Sequence, residues 1–589
     1  MTQKKRKISK KELQQNIAQF SNRTAPRKTF TVIDNGQKSV RAEALPRVSP
    51  PTPSVNPHAQ PIGPALQEDQ PKIEDDVKEA DADFIEETRT QRAKLLAEYA
   101  EMFKPAAQLL MSQEADSRIG TRLLPCVVPA GSMLISTSRF IGLMSGILNM
   151  DLSAIPLGHD GNICPQASKP SLMTLVDHDT GVHATKVTFC GCRDSNKWQQ
   201  LMDANLFPAT VAEPQTAFSF RTLRHWQLIT LQSKITAYDY VRALRRQTDN
   251  VFTGNVPDVY KQFQFVSRIW PLLEAEKRFG GVYGNHMNKL YPCRPQDNVM
   301  VYCPACPKAG INMEPNWDKT PPELRHLNMI FNTIDGNFKT GNYAKNNDPN
   351  NVSLFAGRAY MPNQKHHQHY LEAVPQIQKE KATCSHLKVE NGANRAKFKN
   401  MSVTGNVNVQ CSHMFVCSSV DMKGGENHAT VDLAIKLRVE SCRFDKDKQP
   451  HQVFSYDNMY SLAMNIVQRW LKFHKDDADV VQKASWTIPA CHVNNHHEGC
   501  DYLYCYVYKM CMGHFHGKTA EYAWAIFNAI GPSVLQMSIG HCIDTLIIHY
   551  GDWNWRKVVG SSRQLEKDLN DCFKTVPVRF RRVLGEEVE

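Results

Sequence analysis

A chain of 589 residues with 41% hydrophobic residues and a formal net charge of +11 is long enough for two or three domains with sizeable cores, which excludes a small staple-dependent fold. The charge is uneven: residues 1–48 hold twelve Lys and Arg against three Asp and Glu, so a basic head precedes a nearly neutral body, pointing to a nuclear address or a nucleic-acid contact rather than a uniformly cationic surface. The amino terminus lacks an apolar signal core, and 17 cysteines in such a chain fit thiols and metal sites in a reducing compartment, not a disulfide framework.

Lys4, Lys5, Arg6 and Lys7 have the density of a nuclear localisation patch, with an unspecific solvated tail as the alternative. The basic head runs into a segment rich in Pro, Glu and Asp, so residues 1–82 are expected to be a disordered tether. Residues 83–197 open with good helix formers, broken near Pro105, and continue into LMTLVDHDTGVHATKVTFCGC, whose alternation predicts two strands. Residues 198–298 read as helical, with apolar positions of LITLQSKITAYDYVRALRR at i, i+3 and i+4. Arg242, Arg245 and Arg246 there, and Arg579, Arg581 and Arg582 in a short basic tail at 566–589, are candidates for phosphate contact, a solvated basic face being an equal alternative. The stretch Tyr522 to Gly540 carries no formal charge but is interrupted by Asn528, Gly531, Pro532 and Gln536, so it reads as a buried helix and a turn, and no membrane partner is expected.

Residues 299–565 carry the chemistry. Asp335 in FNTIDGNF and Asp457 in VFSYDN each close a short run of β-formers, and Glu521 in GKTAEYAWA opens a stretch with near-helical apolar spacing. Two carboxylates at strand ends and one on a helix can converge on a pair of hard divalent cations, Mg²⁺ or Mn²⁺, which take oxygen ligands. Such a convergence would make a phosphoryl-transfer site. A sheet delivering two aspartates, followed by a helix delivering a glutamate, predicts an α/β fold with an RNase H-like catalytic core. The long gap between Asp335 and Asp457 then requires extra strands or a module inserted at about 361–445. For any one of these residues alone, a capping or solvated carboxylate is the better reading.

The thiols and imidazoles suggest structural Zn²⁺. Cys303 and Cys306, in C-x-x-C spacing, can bind one zinc ion from a tight turn and need two further ligands, with Cys190 and Cys192 as possible partners. Cys411 and His413 form a second group with Cys384, and His492, His496 and Cys500 recur at four-residue intervals, as one helical face or a compact loop would present them. Ordinary buried thiols are the alternative throughout. Trp553 and Trp555 are expected to fill the core rather than stack on bases.

In order along the chain, DGNF, DP…SLFAGRAY, TC…LKVENGAN, TGNV, CSH, SYD, a His/Cys cluster, E-x-x-W-A and HYGDWNWRKVVG resemble the fungal KDZ (Kyakuja, Dileera and Zisupton) transposases. Upstream, VDHDTGVHATKVTFCGC…LFPATVAEPQTAFSF resembles the CxC cysteine-cluster domain associated with them. The resemblance implies a nuclear cut-and-paste DNA transposase whose catalytic Asp, Asp and Glu are Asp335, Asp457 and Glu521, acting on transposon ends and target DNA as a homo-oligomer. Glu426 in GGEN and Glu498 in HHEGC rival the third position, but Glu521 alone has the following Trp524 in the family's register. Family members carry more cysteine pairs before the HATKVTFCGC segment, where residues 100–163 hold only Cys126, and they continue further beyond HYGDWNWRKVVG. Those departures leave a catalytically inactive, transposon-derived DNA- or zinc-binding protein as the competing expectation.

Overall fold

The computed structural model describes residues 28–34, 37–43, 95–96, 98–99, 101–110, 154–158, 163–192, 196–279, 297–345, 351–374, 400–443, 448–496, 498–512 and 515–583. Lys4, Lys5, Arg6, Lys7, Cys126 and Cys384 lie outside these residues, as do the side chains of Arg579, Arg581 and Arg582. The chain divides into two units, Met1–Val77 and Lys78–Glu589.

In the first unit, strand β1 (Lys28–Asp34) pairs antiparallel with β2 (Gln37–Glu43), in register from Lys28 opposite Glu43 to Asp34 opposite Gln37. The two residues between the strands in sequence are Asn35 and Gly36, the dipeptide most favoured in two-residue hairpin loops. This hairpin lies within the basic part of 1–82, where a disordered tether is expected, and departs from that expectation over the two paired strands.

The second unit opens with a five-stranded sheet built from β3 (Ile155–Pro156), β4 (Ser171–Asp177), β5 (Gly181–Thr188), β6 (Leu206–Pro208) and β7 (Thr216–Ser219), in the order β3-β5-β4-β7-β6. The pair β4 and β5 is the hairpin expected from alternation, closed around the residues between Asp177 and Gly181. β6 and β7 correct the division at residue 197: they lie inside the span read as helical, yet they complete this sheet. Both are short and fully buried, so they show no alternation to read. Helices α1 (Phe220–Ser233), α2 (Ala237–Thr248) and α3 (Tyr260–Phe279) follow, and their aromatic residues Trp226, Tyr240, Phe263 and Trp270 pack with Phe207 and Phe218 of the sheet in one core. Residues 101–110 are helical and contribute Met102, Ala106 and Leu110 to it.

A second five-stranded sheet holds the candidate chemistry. It comprises β8 (Ile330–Asn337), β11 (Gly405–Cys411), β12 (Val416–Met422), β13 (Gln452–Tyr456) and β14 (Ser485–Thr487), in the order β12-β11-β8-β13-β14; β9 (Asn342–Tyr343) and β10 (Met401–Val403) form a separate small pair. β8, β11 and β12 are antiparallel, whereas β13 runs parallel to both β8 and β14. The first, second and third strands of this sheet therefore form an antiparallel meander, and the fourth and fifth extend it in parallel on the other side of the first. Helices α4 (His428–Ser441) and α5 (Met459–Phe473) bury Val431, Leu433, Ile435, Leu462, Ile466 and Trp470 against Ile334, Val407, Val409, Val420 and Phe454. Helix α6 (Thr519–Phe527) and the long helix α7 (Ile539–Val583) bury Ala523, Phe527, Ile543, Leu546 and Tyr550 in a separate core with Val416, Phe355 and Tyr360.

This arrangement corrects the module placed at 361–445. Residues 405–441 are not an insertion, since they supply two central strands and α4. The strands β11 and β12 are buried along their whole length, which removes the polar alternation that marks a half-exposed strand. The tail boundary at 565/566 also moves, because α7 runs unbroken across it. Asn554 on α7 was not singled out in the sequence. It is fully buried and ties three segments together: Oδ1 accepts from Val416 N at 2.9 Å, and Nδ2 donates to Val301 O and Val416 O, each at 2.8 Å. Trp553 fills the core as expected, with Nε1 donating to Met414 O, whereas Trp555 is 43% exposed and lies under the Arg278 guanidinium. Among the described residues no helix is long and apolar enough to cross a membrane.

Candidate active site

Strand periodicity sends successive β8 side chains to opposite faces. Ile334 packs into the core beneath α4 and α5, while Thr333 and Asp335 face α6. Two side-chain bonds dock α6 on that face: Thr519 Oγ1 donates to Thr333 Oγ1 at 3.0 Å, and Trp524 Nε1 donates to Asp335 Oδ2 at 2.6 Å. Asp335 Oδ1 accepts from Gly336 N at 2.8 Å, so both carboxylate oxygens are held. Glu521 lies between the two docking residues in the first turn of α6, where the helix dipole favours a negative charge.

Asp457 directly follows β13, the strand parallel to β8, so both aspartates emerge at the same edge of the sheet. Histidines from the segment after β14 join the carboxylates: His492 Nε2 lies 3.2 Å from Glu521 Oε1, and its Nδ1 lies 3.7 Å from Asp457 Oδ1. His496 Nε2 lies 3.5 Å from the same Asp457 oxygen. Cys491 Sγ is 3.7 Å from Glu521 Oε1, and Cys491, His492 and Glu521 offer ligand atoms within 4.8 Å of one another.

A fourth carboxylate completes the group. Glu426, between β12 and α4, accepts from the Tyr456 hydroxyl at 2.8 Å. Its other oxygen would lie 2.6 Å from a Cβ built at Gly336, so a glycine at 336 makes room for it beside Asp335. Glu426 and Glu521, rivals for the third position in the sequence, are both at the site. Glu498, the second rival, opens the short helix Glu498–Tyr504 and accepts from the Tyr502 hydroxyl at 3.3 Å.

The electrostatics identify what this site needs. Burial, and then the neighbouring Glu521 charge, push the Asp335 carboxyl up to about 6 despite the bonds from Trp524 and Gly336. Burial, with the Asp335 and Asp457 charges, pushes Glu426 up to about 7. A cluster of mutually repelling carboxylates offers hard oxygen donors, and neutralising them takes protons or a cation. Carboxylate oxygens are donors of the kind Mg²⁺ or Mn²⁺ takes, while the ligand atoms that lie within 4.8 Å of one another here are those of Cys491, His492 and Glu521.

The zinc candidates separate. Cys303, Cys306, Cys411 and His413 come together, so the two groups read apart in the sequence are one, and Cys190 and Cys192 are not part of it. Those two meet Cys164 instead, with Cys164 Sγ 3.7 Å from Cys192 Sγ. Cys164 was not singled out because no second cysteine adjoins it. The trio His492, His496 and Cys500 is not a zinc face: the histidines turn to Asp457 and Glu521, while Cys500 packs in the core with Ile488 and Trp470. Four-residue spacing misled there because the segment is a 3-10 turn followed by a short helix, not one continuous helix. On α2, Arg245 spends its guanidinium on Thr253 O and Val256 O, leaving Arg242 and Arg246 as exposed cations.

Residues 328–554 match the family model described as Kyakuja-Dileera-Zisupton transposase, and residues 151–252 match the CxC2 like cysteine cluster associated with KDZ transposases. The first match spans the entire second sheet and all four carboxylates; the second covers the first sheet and the Cys164, Cys190 and Cys192 group. No curated protein and no solved structure matches.

Proposed function

This chain belongs to the Kyakuja-Dileera-Zisupton transposase family over residues 328–554, and from that premise we propose that it is a DDE-type DNA transposase whose catalytic carboxylates are Asp335, Asp457 and Glu521. The observation that carries the proposal is the gathering of carboxylates at one end of the second sheet, with Asp335 raised by burial and by the Glu521 charge, and Glu426 raised by burial and by the Asp335 and Asp457 charges. The strand order, third-second-first-fourth-fifth with a parallel first and fourth strand, supports the RNase H-like reading.

In this reading Asp335, Asp457, Glu521 and Glu426 are the residues that would hold two Mg²⁺ or Mn²⁺ ions. A pair of such ions supplies activation of an attacking water or 3′-hydroxyl and neutralisation of charge on the leaving oxygen and the transferred phosphoryl group. The chain's own contribution is placement. Trp524 and Gly336 fix both oxygens of Asp335, and Tyr456 fixes Glu426. His492, within hydrogen-bond reach of Glu521, is positioned to accept or return a proton at the site's rim. Transposase membership implies DNA binding; we assign the ends and target DNA as the substrate, a homo-oligomer as the working state, and Lys4, Lys5, Arg6 and Lys7 as a nuclear address.

Isothermal titration of the full chain with Mn²⁺ tests the site. The wild type is expected to bind, and Asp335→Asn together with Glu426→Gln to abolish binding. Unchanged Mn²⁺ affinity in that double variant overturns the assignment.

A further inference from the structure

We propose that Cys303, Cys306, Cys411 and His413 form one closed, structural Zn²⁺ site that clamps the segment before β8 to the β11–β12 hairpin and so holds the register of the strand carrying Asp335. The ligand atoms of all four residues lie within 4.8 Å of one another, and the three cysteines are buried at 5, 6 and 0% exposure. Three sulfurs and one imidazole are a donor set that zinc takes tetrahedrally, and four protein ligands leave no open position, the mark of a structural rather than a catalytic site. On binding, each cysteine gives up its thiol proton and His413 coordinates as neutral imidazole.

The surroundings are built for such a centre. The C-x-x-C turn is fixed from behind: Asn312 Nδ2 donates to Pro304 O at 3.2 Å and to Cys306 O at 2.9 Å, while Lys308 N donates to Asn312 Oδ1 at 2.7 Å. The Lys308 ammonium turns to the carbonyls of Cys303 and Cys306. At the hairpin, Met414 N donates to Cys411 O at 2.9 Å and Met414 adopts a φ of +65°, a tight turn that sets Cys411 and His413 on one side. Arg438 is 4% exposed, has no carboxylate ion-pair partner among the described residues, and points Nη2 at Cys306 Sγ at 4.0 Å. Its Nε donates to the neutral Asn332 Oδ1 at 2.7 Å, which satisfies one N–H but offers no counter-charge, and three thiolates with one Zn²⁺ supply a net negative charge beside it.

Cys417 lies in the same cluster, with Sγ 3.3 Å from Phe415 O, but is not among the four residues whose ligand atoms come together. Cys411 faces Asn332 across the ladder, and Asp335 faces Asn408, so the centre sits three residue pairs, about 10 Å, from the catalytic carboxylate. That separation makes the clamp independent of the divalent-ion reading: either stands if the other fails.

The test is zinc content of the purified full chain by plasma mass spectrometry, comparing wild type with Cys306→Ser, Cys411→Ser and the buried control Cys442→Ser. Cys306→Ser and Cys411→Ser are each expected to lose one equivalent that Cys442→Ser keeps; no loss in either overturns the site. Because a ligand variant can fail to fold, wild-type protein is also alkylated with and without a chelator and mapped by mass spectrometry. Stripping zinc is expected to expose Cys303, Cys306 and Cys411 together, and labelling of these three that ignores the chelator overturns the proposal.

Discussion

The indole Nε1 of Trp524 donates a 2.6 Å hydrogen bond to Oδ2 of Asp335, joining α6 to β8 next to the glutamate that α6 presents. This bond favours the ionised carboxylate, opposing the rise that burial imposes. Trp524→Phe keeps the ring and removes the donor, so the Asp335 pKa rises further. The acidic limb of the pH–activity profile is expected to move upward by about one unit, the worth of a hydrogen bond to a charged group. An unshifted limb would show that this bond does not govern the ionisation that matters.

A second prediction concerns stability and pH. Asp335 at about 6 and Glu426 at about 7 both lie above their ordinary values, so the folded chain holds protons that the unfolded chain has released. Their contribution to stability is complete below about pH 4 and is lost as pH rises through 6 to 7. Mg²⁺ replaces those protons, so the gain in Tm on adding it is expected to be larger at pH 8 than at pH 5. Asp335→Asn with Glu426→Gln is expected to raise the Mg²⁺-free Tm at pH 8, by about 2 °C or more, and to erase the Mg²⁺ gain. Equal gains at both pH values in the wild type would contradict this.

The carboxylates were legible because each lies in a short local frame, two β-runs and one helical stretch, whose side-chain direction follows from strand and helix periodicity. Glu426 was seen but set aside, since only the close approach at Gly336 shows that its loop reaches Asp335. The strands β11 and β12 were hidden by their complete burial, and the zinc candidates by distance in sequence: nothing local says that Cys303 and Cys411 meet. Asn554 looks like any polar residue on a helix until its three partners are known.

That residue gives a third prediction. Asn554→Leu leaves the Val301 and Val416 carbonyls and the Val416 N–H without this partner in a buried place. The expected cost is about 3 kcal/mol, read as a fall in Tm of roughly 6 °C or more by calorimetry. Trp555→Ala, one position along, removes an exposed ring under Arg278 and is expected to cost about 2 °C. Equal effects would mean that the Asn554 bonds contribute nothing beyond ordinary helix packing.

The most direct measurement of the central claim is cleavage of duplex DNA carrying the element's own termini by the full chain with Mg²⁺ or Mn²⁺, for wild type and Asp335→Ala. The account predicts metal-dependent strand cleavage that falls at least about a thousandfold in the variant, the loss of several kcal/mol of transition-state stabilisation. Cleavage that survives Asp335→Ala, or a wild type that binds the DNA and the metal yet leaves every strand intact, would contradict it.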